Sequence, residues 1–143
     1  SVLMDENRIT LSTRYAPPID EVAGQLKEKL SGMNNPGELL SEIHRKIGEY
    51  RLVVLTFLKP HPLTRGHSVL TVLLAEEGDL TTADLICVNT TAYFYGTSGN
   101  QRYRMEAERI LRELGFAGEH DAEQKEETGL LSSLKRFWNT DEV

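Results

Sequence analysis

Arg51-Leu52-Val53-Val54-Leu55-Thr56-Phe57-Leu58-Lys59 and, after a short interval, His67-Ser68-Val69-Leu70-Thr71-Val72-Leu73-Leu74-Ala75 are the two stretches on which the fold turns. Both are rich in β-branched and apolar residues, have strand length and are bounded by turn residues, so both are predicted as strands. In each, the two alternating sets of side chains are apolar. A sheet built from them needs cover on both faces. A helix, the C-terminal segment or a second subunit are the candidates for the second face, and a homodimer is the expectation.

Outward from this pair, Pro60-His61-Pro62-Leu63-Thr64-Arg65-Gly66 is a proline-stiffened loop, too long for a tight hairpin. Glu76-Glu77-Gly78-Asp79 is a turn into a third strand around Thr82 to Asn89, and Ala92 to Gly96 is read as a fourth, which makes an antiparallel meander. Upstream, Ile9 to Tyr15 alternates as a strand and Pro17-Pro18 presets a helix. On that helix Ile19, Val22, Ala23, Leu26 and Leu30 form one apolar stripe, and Gly32 ends it. Asn35-Pro36-Gly37-Glu38 resembles a capping box, which predicts a second helix burying Leu39, Leu40, Ile43 and Ile47. A last helix starts at Ser98, buries Tyr103, Ala107, Ile110, Leu111 and Leu114, and closes at Gly115. The predicted fold class is α+β: an antiparallel sheet of four to five strands, two or three helices on one face, and a C-terminal amphipathic helix.

The chain has 143 residues and a net charge of −6. Residues 1–116, the predicted globular domain, hold 15 acidic and 13 basic residues, whereas 117–143 hold 7 and 3. Residues 117–128 read as an acidic linker. A near-neutral body without a basic stripe argues against nucleic-acid binding. No apolar stretch approaches the ~20 residues of a transmembrane helix. Residues 1–8 carry no secretory pattern, and the one cysteine, Cys87, makes no internal disulfide. A cytoplasmic location is the expectation, with peripheral membrane contact through the C-terminus as a variant of it.

Catalytic spacing is absent from the body. His61 and His67 flank the proline-rich loop, but two ligands are too few for zinc, so neither a metal nor a cofactor is expected. His44 and His120 read as surface residues, and Cys87, among apolar neighbours, as buried and inert. Gly96-Thr97-Ser98-Gly99-Asn100-Gln101-Arg102 runs from strand to helix, a geometry that offers backbone N–H groups to an anion. A candidate ligand site therefore comprises Tyr93, Tyr95, Ser98, Gly99, Asn100 and Arg102 with His61 and His67; a plain turn and helix cap is the competing reading.

Residues 129–143 carry the most concentrated signal. Drawn as a helix, Leu130, Leu131, Leu134, Phe137 and Trp138 share one face, with Ser132, Ser133, Lys135 and Arg136 away from it. Leu-Leu-x-x-Leu-Lys-Arg-Phe-Trp resembles the short C-terminal membrane-targeting helices of some bacterial cytoplasmic proteins, in which a flexible linker joins a globular body to a helix of bulky apolar and basic residues. Here only two residues are basic, and Asp141 and Glu142 follow. The order of elements in the body is similar to small bacterial α+β domains of unknown function, a resemblance that implies no activity. Leu130, Leu131, Leu134, Lys135, Arg136, Phe137 and Trp138 are thus the candidate contacts to the body or a sister subunit, to a protein partner or to a membrane surface. The leading expectation is a non-enzymatic, oligomeric binding or adaptor domain, and the alternative a small-molecule-binding protein or modest enzyme using the 93–102 turn.

Overall fold

The computed structural model describes residues 8–32, 35–61, 63, 66–90, 98–118 and 121, the side chains of 98–101 excepted. Its elements run β1 (Arg8–Thr13), α1 (Ile19–Ser31), β2 (Glu38–Ile47), β3 (Tyr50–His61), β4 (Gly66–Glu77), β5 (Leu80–Asn89), α2 (Ser98–Glu113) and β6 (Ala117–Gly118). The strands form one six-stranded antiparallel sheet in the order β2-β3-β4-β5-β1-β6. The protein is α+β.

The meander of β2 to β5 turns tightly twice. Gly48-Glu49 joins Ile47 to Tyr50, Gly78-Asp79 joins Glu77 to Leu80, and Gly48 and Gly78 both stand at φ 58°, where a side chain is disfavoured. Strand β1 then pairs with β5, with Leu11 opposite Ala83.

Leu11 on β1, Val53, Leu55 and Phe57 on β3, Leu70, Val72 and Leu74 on β4, and Ala83, Leu85 and Cys87 on β5 point to one face and are buried there. Helix α1 packs on this face with Ile19, Val22, Ala23, Leu26 and Leu30, and α2 with Tyr103, Ala107, Ile110 and Leu111. Both stripes are those the 3.6-residue period predicts. Helix α2 ends in a Schellman turn: Phe116 N–H donates to Leu111 O, Gly115 N–H to Arg112 O, and Gly115 adopts φ 99°.

The predicted second helix is corrected: residues 38–47 are the edge strand β2. Of its four expected core residues only Leu39 packs against the core; Leu40, Ile43 and Ile47 are exposed. Ile43 and Ile47 are spaced by four, which returns to the same side in a strand as well as in a helix, so the spacing was ambiguous, and a bulge between Leu39 and Ser41 puts Leu39 alone of the three on the core face. Asn35 is no N-cap. Its Nδ2 donates to Lys29 O at the end of α1 and its Oδ1 accepts from Gly37 N–H, which turns the chain into β2. The sheet accordingly has more strands than the four to five expected, and two helices are present among the described residues. The predicted strand at 92–96 and the predicted helix at 129–143 lie outside the described residues.

Candidate functional site

Strand alternation gives the sheet a second face, and no described element lies on it. Across it run Ile43–Val54–Leu73–Asp84–Thr10, then Arg45–Leu52–Ala75–Thr82–Ser12, then Ser41–Thr56–Thr71–Ile86–Arg8, and Leu58–Val69–Val88. Leu52, Val54, Leu58, Val69 and Leu73 are half-buried. Ile43, Ile86 and Val88 are 41%, 42% and 53% exposed. Apolar residues predominate on β3 and β4, interrupted by Thr56 and Thr71, with Asp84 beside Leu73 on β5 and Arg8 and Arg45 toward opposite edges. Asp84 is held by a 2.5 Å hydrogen bond from Thr10 Oγ1. This face is a candidate interaction surface.

A polar cluster closes one end of the core. His61 ends β3, Ser68 begins β4 and Cys87 lies near the end of β5, all on the helix-bearing face. His61 Nε2 and Ser68 Oγ share a 2.6 Å hydrogen bond, and Ser68 and Cys87 are fully buried. Burial, opposed by Arg104 and Ser68, pushes the Cys87 thiol up to about 11. Burial, then Lys59 and His67, hold the His61 imidazole below its ordinary value. Burial thus disfavours the charged form of both the thiol and the imidazole, as in a hydrogen-bonded polar closure of the core.

His61 and His67, expected together, are parted by alternation. His67 lies on the opposite face, where its backbone pairs with Thr90 (Thr90 N–H to His67 O 2.9 Å, His67 N–H to Thr90 Oγ1 3.0 Å). Ser98, Gly99 and Asn100 open α2, and Arg102 is exposed on its second turn. Tyr93 and Tyr95 lie outside the described residues, as do Leu130, Leu131, Leu134, Lys135, Arg136, Phe137 and Trp138. Among the described residues no three His, Cys, Asp or Glu side chains gather as metal ligands, and no helix is long and apolar enough to cross a membrane.

His44, read from sequence as a surface residue of a helix, instead stands on β2 beside Asp20 (3.8 Å) and Glu42 (2.8 Å). Sequence reasoning also missed where the chain goes after β6. Asp121 accepts from Gly118 N–H at 3.0 Å and pairs with the Arg112 guanidinium of α2. Gly118 is opposite Leu11, a core-facing residue, so this pairing holds Asp121 on the helix side of the sheet. Nearby, a groove of about 460 Å³ follows the outward face of α2 along Met105, Glu108, Arg109, Arg112 and Glu113. The acidic run at 119–127 contained the signal, a surplus of carboxylates next to a helix ending in arginine, but not the pairing. Compared with known proteins, the chain matches no protein-family model and no curated sequence.

Proposed function

We propose that the protein is a non-enzymatic cytoplasmic binding domain that acts as an oligomer and uses its C-terminal amphipathic segment, residues 129–138, to contact its target. The observation that supports it most is the second face of the sheet: the two helices among the described residues both pack on one side, and no described element covers the other. The segment supplies a second apolar surface on an acidic tether, and two copies on one oligomer multiply its affinity for a target. Residues 129–138 touch an anionic membrane surface or a groove on a protein, with Lys135 and Arg136 beside the apolar stripe.

The test is flotation of the full chain with anionic vesicles, alongside light scattering on the same samples. Self-association, together with flotation that Leu134→Ala with Trp138→Ala removes while the circular dichroism of the body is unchanged, supports the reading. A full chain that stays monomeric and unbound overturns it.

A second reading is favoured by the convergence of His61, Ser68, Cys87 and Arg104 near the start of α2. In it the protein binds a small molecule, or acts on one as a modest enzyme, through the 93–102 turn and the 61–67 loop. It predicts a rise in thermal midpoint with one class of metabolite; a flat response across a broad panel removes it.

A further inference from the structure

The bare face of the sheet is the one large surface of the described residues that the fold leaves unmanaged, and its neighbours show that the edges are managed. Strand β2, one edge, carries Glu38, Glu42, His44, Arg45 and Lys46 and is broken by a bulge between Leu39 and Ser41. Charges and bulges of this kind block strand addition. The other edge is β6, only two residues long. Strand addition is thus disfavoured at the β2 edge, and the face is the larger apolar surface open to an interaction.

Two occupants are available within this sequence, and size and direction separate them. The face spans five strands, β2, β3, β4, β5 and β1, of which the middle two are 12 residues long and their neighbours 10. At ~4.8 Å between strands and ~3.3 Å per residue this is a field of about 24 by 35 Å, on the order of 800 Å². A ten-residue helix, ~15 Å long and ~10 Å across, covers about a fifth of it. A standard protein–protein interface takes about 800 Å² from each partner, so the field matches what a stable dimer needs. Direction agrees as far as the described residues reach: Asp121, beyond β6, pairs with Arg112 of α2 on the helix side of the sheet. Anatomy agrees as well: Val54, Leu73 and Ile86 surround the small Thr56 and Thr71, the Asp84 carboxylate is already bonded by Thr10, and Arg8 and Arg45 stand at the borders.

We infer that the occupant is a second copy of this chain: two protomers stack the outer faces of their sheets into a β-sandwich, related by a two-fold axis, with Ile43, Leu73, Ile86 and Val88 in the contact. Sheets stack in this way about 10 Å apart with interleaved side chains. The inference deepens the oligomeric reading above and rests on it.

The experiment is multi-angle light scattering of the full chain over a dilution series, for wild type, for Ile43→Glu with Ile86→Glu, and for Leu134→Glu with Trp138→Glu. Ile43 and Ile86 are partly exposed in the protomer, so charges there leave the fold intact; circular dichroism and a retained cooperative thermal transition check this. A dimeric wild type, a monomeric face variant and a dimeric tail variant support the inference. A dimer that survives the face charges, or one that only the tail charges dissociate, overturns it while leaving oligomeric binding in place. A wild type that is monomeric but floats with vesicles overturns it too and keeps the C-terminal contact. A wild type that is monomeric and unbound overturns both.

Discussion

Tyr103 of α2 donates its hydroxyl to the main-chain carbonyl of Leu30 at the end of α1, at 3.2 Å and fully buried. The two helices of the layer are joined at this point, and β2 starts beside it: a Cβ placed on Gly37 runs into both the Leu30 carbonyl oxygen and the Tyr103 hydroxyl. The ring is also anchored to the sheet, because Lys59 Nζ sits 5.1 Å from its centre and bonds Glu106 at 3.1 Å.

Tyr103→Phe leaves the Leu30 carbonyl unsatisfied in the core and is expected to cost about 1 kcal/mol, a fall of roughly 3 °C in thermal midpoint. Gly37→Ala forces both groups apart and is expected to cost more, about 2 to 3 kcal/mol. The double variant should recover part of the Gly37→Ala loss, since removing the hydroxyl relieves one of the two clashes. Additivity measured in denaturant melts rules the shared contact out.

Glu76 of β4 caps α1. Pro18 occupies the N-cap and brings no side-chain acceptor, and the Ile19 N–H is taken instead by Glu76 Oε2 at 3.2 Å. The carboxylate also faces the positive end of the helix. Stability should fall in the order wild type, Glu76→Gln, Glu76→Ala, with the alanine about 1 kcal/mol below wild type. Equal stability of all three in urea melts shows that the cap carries nothing.

This cap shows where the sequence was legible and where it was not. The helical stripes of α1 and α2 and strands β3 to β5 follow from periods of 3.6 and 2 within single segments, and the structure has them. Residues 38–47 misled because apolar positions four apart satisfy both periods; the Gly48-Glu49 turn after them was the cue to a hairpin. Glu76 with Ile19 was invisible because only the tertiary fold brings the two segments together, and Ser68 with His61 and Asp121 with Arg112, though close in sequence, because they depend on the exact register and turn between their elements. The strand order itself, with β1 inserted beside β5, has no local signature. For the candidate surface, the sequence carried the demand for cover but neither its area nor its polar borders.

Cys87 gives a prediction with a sign. The thiol is buried and raised to about 11 from an ordinary value near 9. Below pH 9 it is protonated in both folded and unfolded chains and its protonation has no effect on stability differences. Above pH 9 the unfolded chain ionises first, so stability is lost as pH rises toward 11, by roughly 2 kcal/mol from this group. Tyr103, raised by burial and then by Glu106, acts in the same direction. Cys87→Ala should flatten the alkaline limb of stability against pH, at the cost of a small cavity. A disulfide reagent should leave the native thiol unmodified at pH 8 and react with one thiol per chain in denaturant; fast native reaction contradicts the burial.

The acidic side is governed by a surface network between α1 and the β2–β3 hairpin. Glu42 accepts from Lys27 at 2.9 Å and from His44 at 2.8 Å, and Asp20 pairs with Arg51 at 3.0 Å. The Lys27 ammonium foremost, then His44, holds the Glu42 carboxyl below its usual range. A carboxyl lowered by folding contributes stability above its unfolded value near 4.5 and loses it as pH falls through the folded one, so the contribution disappears in acid. Glu42→Gln should weaken stability at pH 7 by a fraction of a kcal/mol, as partly exposed pairs do, and reduce the slope of stability against pH below 4.5. Salt screens such pairs, so the gap between wild type and Glu42→Gln should narrow as sodium chloride is raised. A gap that persists unchanged at high salt would assign the effect to the packing of the Glu42 stem against β3 and not to its charge.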